Sequence, residues 1–165
     1  MPALAREFIS QRLNGLESGQ VQPDVAAERT ALLDVFGQSV TDSTRIDLRI
    51  VTDEGEEHFF EMKSAKPNKG QCREMKERLM KAIAIRQSPR AWSWWGVPYD
   101  PYGQGFYAHP YPRRFFDFAS EVRLGRAFWN FVGGDDQTYD ELLAIYASVG
   151  ASFSDRLRSL HAPSV

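Results

Sequence analysis

A single cysteine, Cys72, is all the thiol this chain has. No intrachain disulfide can staple it, and a reducing, intracellular setting is the expectation. At helical spacing Cys72 reads as a small core residue rather than a reactive thiol. Long apolar runs are also missing. The opening residues, MPALAREFISQRLNGLESGQ, carry a charge every few positions, so a secretion signal is not expected. No stretch is long and apolar enough for a membrane span, and the cytoplasm is the expected location with no membrane partner. There is no large excess of either charge: the net value is −2 and the pI about 5.9, which taken whole argues against a nucleic-acid partner. Repeats and low-complexity tracts are absent. What is present is ordinary for a globular protein: 165 residues, 42% hydrophobic and 25% charged, which predicts one domain over 1–165.

The charge is unevenly spread. Residues 63–90 hold nine bases and two acids, a local excess of seven that leaves the remainder of the chain nine negative. A basic stripe on an acidic body is the pattern of a face that meets phosphate. A solvated helix with Lys and Arg on its outer side gives the same count, and charge alone does not separate the two.

Residues 3–16 are predicted as an amphipathic helix with Leu4, Phe8, Ile9, Leu13 and Leu16 inward. A second helix is predicted from Val25 to Phe36, with Asp24 as its N-cap and Gly37 ending it. Arg45–Val51 alternates strictly, Thr52–Glu56 is turn chemistry with Gly55 suited to a left-handed conformation, and Glu57–Lys63 is the returning strand. Together they predict a β-hairpin. Pro67 bars a helix through the next loop, and 71–86 is predicted helical with Cys72, Met75, Leu79, Ala82 and Ile83 buried. Ala91–Val97 is a Trp-dense strand, with Trp92 and Trp94 expected in the core. A helix near Phe116–Phe131 and a last one from Thr138, with a Thr138/Glu141 capping box, complete a mixed α/β order.

Glu61 and Lys63 are two apart on a strand, so both side chains leave one face. Residues directly across an antiparallel pair share a face too. A turn centred on Glu54 sets Asp47 across from Glu61; one centred on Gly55 sets it across from Lys63. Either way two carboxylates and an ammonium gather at one end of a sheet, beside the apolar Phe59. Two carboxylates are hard oxygen ligands for Mg²⁺, with the backbone carbonyl of Met62 as a further oxygen. Such a metal lowers the pKa of a bound water, and a lysine can orient that water or offset charge on a phosphoryl group. The plain alternative is a solvent-facing cross-strand pair, Asp47 with Lys63, flanked by Arg45 and Arg49.

The run Phe59–Gln71, reading FFEMKSAKPNKGQ and followed by Lys76, resembles the signature of the TdeIII-type family of type II restriction endonucleases. Tyr99–Gly103, Phe128–Gly134 and Thr138–Leu143 are similar to later parts of that family in the same order, so the likeness covers roughly 45–150. It implies a PD-(D/E)xK restriction-endonuclease-like core, a mixed sheet flanked by helices. It also implies Mg²⁺-dependent cleavage of both strands of a short double-stranded DNA site, with Asp47, Glu61 and Lys63 as the catalytic set. The chain then divides into a helical N-terminal region (1–40), a catalytic sheet with its basic helix (41–97), and an aromatic loop with C-terminal helices (98–165). Cleavage at a symmetric site favours a homodimer. Two other readings stay open: a different nuclease of the same superfamily, acting in repair or at junctions, and a protein that keeps the fold and DNA binding without activity.

Lys66, Asn68, Lys69, Gln71, Arg73 and Lys76 are the candidates for DNA contact, with Lys66, Lys69 and Lys76 on phosphate. Asn68 reads equally as a turn residue after Pro67. Glu28 is an extra acid that some such nucleases carry, or a solvent-facing helix residue. Eleven aromatics between Trp92 and Phe118 surround a loop suited to lining a DNA groove or a dimer seam, with His109 within it as an accessory candidate. His58 points away from the Glu61 face and reads as structural, and His161 sits in a polar tail.

Overall fold

The computed structural model describes residues 1–35, 37, 40–103 and 106–160; Phe36, the predicted end of the second helix, and His161 lie outside them. The chain divides into two compact units, Met1–Leu124 and Gly125–Val165, and every candidate site residue belongs to the first. The elements run α1 (Ala3–Ser18), α2 (Val25–Leu33), β1 (Leu48–Val51), β2 (Glu57–Met62), α3 (Lys69–Arg86), β3 (Ala91–Val97), α4 (Pro110–Phe115), β4 (Val122–Leu124), α5 (Arg126–Gly133) and α6 (Thr138–Leu160). The fold is mixed α/β, as the sequence predicts. The sheet order is β1-β2-β3-β4, with β1 antiparallel to β2 and the other neighbours parallel.

The hairpin forms because Gly55 takes φ 77°, closing the turn with Gly55 N–H on the Thr52 carbonyl and Thr52 N–H on that of Glu56. The parallel pair β2–β3 needs a long crossover, which α3 supplies. Asn68 starts that helix with a capping box: its side chain accepts from Gln71 N–H while the Gln71 side chain accepts from Asn68 N–H, both at 2.9 Å.

The core lies between α3 and the sheet. Ala5, Ile9 and Leu13 of α1, Leu32 of α2, Met80 and Ile83 of α3 and Phe59 of β2 form one cluster. Cys72, Met75 and Leu79 pack with Trp95, Val97, Tyr107, Phe115 and Phe116 in a second. Burial raises the Cys72 thiol to about 12, so it is an inert core group.

Several expectations change. The buried stripe of α1 runs through Ala5 rather than Leu4, which is exposed. Trp95, not Trp92 or Trp94, is the tryptophan fully buried under α3; the other two are half-buried on the opposite face, where Trp94 stacks on His58 and Phe60. Alternation separates two faces of a strand but does not say which one meets the helix. In place of one helix over 116–131 there are β4 and α5, with the short α4 just before them. Pro110 starts α4, Phe116 is already extended, Trp95 N–H donates to the Glu121 carbonyl as β4 joins the sheet, and Gly125 at φ 46° turns the chain into α5. Glu141 N–H bonds to the Gln137 carbonyl, so Thr138 is the first residue inside α6 rather than its cap.

Candidate active site

The register decides where the carboxylates meet. Leu48 pairs with Phe60 and Val51 with Glu57, so the turn centres on Glu54 and the next position sets Asp47 across from Glu61. The strand pairing stops there for a local reason. Asp47 Oδ2 accepts the backbone N–H of Met62 at 2.8 Å, a bond that continued pairing would have given to a backbone carbonyl of the partner strand. Strand β1 therefore begins at Leu48 rather than Arg45, and the Asp47 side chain is fixed at the sheet end while remaining exposed.

Glu61 is 0% exposed. Burial, and then the charge of Asp47, push its carboxyl up to about 7, against the pull of Arg78 and Lys63. Arg78 Nη1 donates to Glu61 Oε2 at 3.3 Å, whereas Glu61 Oε1 is buried with no hydrogen-bond partner among the described residues. A buried carboxylate oxygen without a donor is costly, and a cation is the partner that suits it. Lys63 is half-buried beside this pair. Among the described residues Asp47 forms no ion pair, so a cross-strand Asp47–Lys63 bridge does not account for the arrangement. No group of three or more His, Cys, Asp or Glu that could hold a metal occurs among the described residues. Two carboxylates suit a divalent cation that keeps several waters and shares substrate oxygens instead of needing a protein cage.

The candidate DNA residues divide. Lys66 is exposed, its ammonium 5.2 Å from the centre of the Tyr102 ring. Lys69 and Arg73 both engage Glu17 of α1, at 3.0 and 2.8 Å, and Arg73 also donates to Asn14. Asn68 and Gln71 use their side-chain oxygens in the capping box, which leaves their amide NH₂ groups as donors for other contacts. Lys76 is a correction: it is 0% exposed and cannot meet a phosphate on this surface. Its Nζ lies 2.6 and 2.7 Å from the two Glu121 oxygens and 2.5 Å from Glu28 Oε2. Burial alone would lower the Lys76 pKa, but Glu121 and Glu28 outweigh it and hold it above its ordinary value.

Glu28, read as either an accessory acid or a solvent-facing helix residue, is not solvated. It is 3% exposed and pairs with Arg12 at 2.8 Å as well as with Lys76. His109 bonds through Nε2 to the Pro67 carbonyl at 2.8 Å, and the Tyr107 hydroxyl donates to the Ala65 carbonyl. The aromatic segment thus clamps the loop that follows Lys63. No described helix is long and apolar enough to cross a membrane.

The family model for the type II restriction endonuclease HinfI matches residues 2–150. This chain belongs to that family. It is 38% identical over 117 residues to the type II restriction enzyme HgiCII of Herpetosiphon aurantiacus, covering 68% of this chain and 42% of that enzyme. Against HgiBI of the same organism it is 33% identical over 152 residues, 90% of this chain and 55% of the relative. MjaII of Methanocaldococcus jannaschii is 24% identical over 161 residues, 87% and 44% of the two chains. The chain spans about half the length of the curated relatives it matches. Type II restriction endonucleases are the class that the Phe59–Gln71 signature indicates, and HinfI is the member whose model matches.

Within this HinfI-family chain, two features escape a sequence reading. Glu121 had no motif around it, and its role as the second buried partner of Lys76 depends on β4. Arg78 counted only as one base among nine, yet its side chain reaches Glu61. The one available signal was spacing: Glu74 and Arg78 form an i,i+4 pair that fixes which way the guanidinium leaves α3.

Proposed function

We propose that this chain carries the catalytic core of a Mg²⁺-dependent type II restriction endonuclease that hydrolyses both strands of a short double-stranded DNA site. The observation behind this reading is the sheet end itself: Asp47 lies across from a fully buried Glu61 whose Oε1 lacks a partner, in a chain of the HinfI family. Asp47, Glu61 and the Met62 carbonyl would hold the metal. When bound, that ion lowers the pKa of a water and polarises the phosphoryl oxygen.

The chain's own residues do the rest. The Met62 N–H fixes Asp47, so its carboxylate needs no reorganisation. Burial keeps water from Glu61 and strengthens its interaction with any cation. Lys63 follows Glu61 on the same face and is placed to orient the attacking water or to offset charge building on the phosphoryl oxygens. Lys66, Lys69 and Arg73 are the phosphate contacts, the last two after exchanging Glu17 for DNA. The protein acts as a homodimer in the cytoplasm, since two-fold symmetry suits a symmetric site.

Plasmid DNA incubated with protein and Mg²⁺ tests this. Discrete bands are expected; a smear indicates a different nuclease of the superfamily. Retained DNA binding with no cutting by the unaltered protein would leave only a binding role. Lys63→Ala is expected to abolish cutting and keep binding, and normal cutting by that variant would remove Lys63 from the site.

A further inference from the structure

Arg78 reaches the buried carboxylate that the proposed metal site needs, and it is held there loosely. Its Nη1 reaches one oxygen of Glu61 at 3.3 Å, well beyond the usual length for a charge-assisted contact, while the other oxygen has no donor. Nη2 is anchored on Glu74, one turn earlier on α3 and half exposed. Arg78 itself is 29% exposed, above a Glu61 that is not exposed at all. A long, partly solvated side chain therefore has two carboxylates to choose between, one buried and one at the surface.

Resting on the metal site proposed above, we infer that Arg78 is a stand-in cation: it occupies Glu61 in the metal-free protein and gives it up to the incoming divalent ion, staying attached to Glu74. Arg78 is a positioning residue in this account, because it acts on metal loading through Glu61. It explains why a buried carboxylate opposite Asp47 is tolerated before metal arrives, and why its neutralisation is only half complete.

The test is Mn²⁺ binding by the whole chain without DNA, read from the electron paramagnetic resonance of free Mn²⁺, with circular dichroism melts to confirm folding. Glu61→Gln is expected to lose Mn²⁺ binding; if it binds like the unaltered protein, the proposed metal site is wrong and this inference falls with it. Arg78→Gln is expected to bind Mn²⁺ about fivefold more tightly, the scale of a partly exposed ion pair no longer competing. Glu74→Gln is expected to weaken binding, since Arg78 then has Glu61 as its remaining carboxylate, and it decides the matter by its opposite sign if Arg78→Gln does not fold. Arg86→Gln, which removes a guanidinium from Glu57 on the same sheet face, is expected to change little. Unchanged or weaker binding by Arg78→Gln, with Glu61→Gln still inactive in binding, would overturn the role of Arg78. So would an equal gain from Arg86→Gln, which would mean that bulk charge alone is at work.

Discussion

Replacing Lys76 by methionine separates a structural lysine from a DNA-binding one. The ammonium is fully buried between Glu121 and Glu28. With it gone, Glu28 keeps Arg12 at 2.8 Å, but Glu121 is left with the Asp117 N–H at 3.4 Å. Stranding a buried charge costs about 3–5 kcal/mol. For a chain of this size that lowers the melting temperature by about 6–20 °C, taking about 2–4 °C per kcal/mol.

The loss should depend on pH. Burial, only partly offset by Lys76, pushes Glu121 up to about 7 from its usual 4.5, so the folded state binds a proton that the unfolded state has released. That contribution is complete below the unfolded pKa and disappears as pH rises through the folded one. Without Lys76 the folded pKa moves higher still. The destabilisation therefore grows as pH rises above 7 and is much smaller at pH 5, where Glu121 carries its proton. Urea unfolding at both values measures it, and the double variant Lys76→Met/Glu121→Leu should recover most of the loss, because an apolar pair of similar volume replaces the ion pair. A loss below about 1 kcal/mol at pH 8, or an equal loss at pH 5, would refute the buried-pair account. Weakened DNA binding with unchanged stability would return Lys76 to the phosphate contacts.

Three further outcomes follow from the same geometry. Glu61→Gln should melt higher than the unaltered protein at pH 8 in metal-free buffer, with the gap closing towards pH 5, because burial and Asp47 hold Glu61 up to about 7; a lower melt at pH 8 would contradict this. Asn68→Ala should cost about 1 kcal/mol in denaturant unfolding by removing the capping box, with DNA affinity unchanged; a selective loss of affinity would make Asn68 a DNA contact instead. Tyr107→Phe strips the donor from the buried Ala65 carbonyl and should destabilise by about 1–3 kcal/mol, visible as a lower melt, whereas an unchanged melt would show that the hydroxyl contributes nothing there.

The hairpin and the helix after it were legible because their signals are local. Alternation from Arg45, a left-handed Gly55 and Pro67 barring a helix each act within a few residues, whereas the start of α3 at Lys69, capped by Asn68, comes earlier than the predicted 71. What resisted reading was non-local. The choice between Glu61 and Lys63 as the residue facing Asp47 hangs on a two-residue shift of register, which the pairing of Leu48 with Phe60 fixes. Lys76 looks like any base on a helix until Glu28 and Glu121, from distant parts of the chain, are folded around it. Strand β4 is three residues long and joins by parallel pairing to β3, so it leaves no periodic trace of its own. The basic stripe was real in sequence but not uniform in space: Lys66 is exposed, Lys69 and Arg73 are paired with Glu17, and Lys76 is interior.

The bond from Met62 N–H to Asp47 gives one side chain two employers. One of its oxygens ends the ladder between β1 and β2, and the other is the freer one for chemistry. Deleting the side chain would therefore fray the hairpin as well as empty the site, and a dead Asp47→Ala variant could not tell the two apart. Asparagine keeps a carbonyl oxygen for the Met62 N–H and discards the charge. At this position the amide, not the methyl group, is the substitution that isolates electrostatics from architecture.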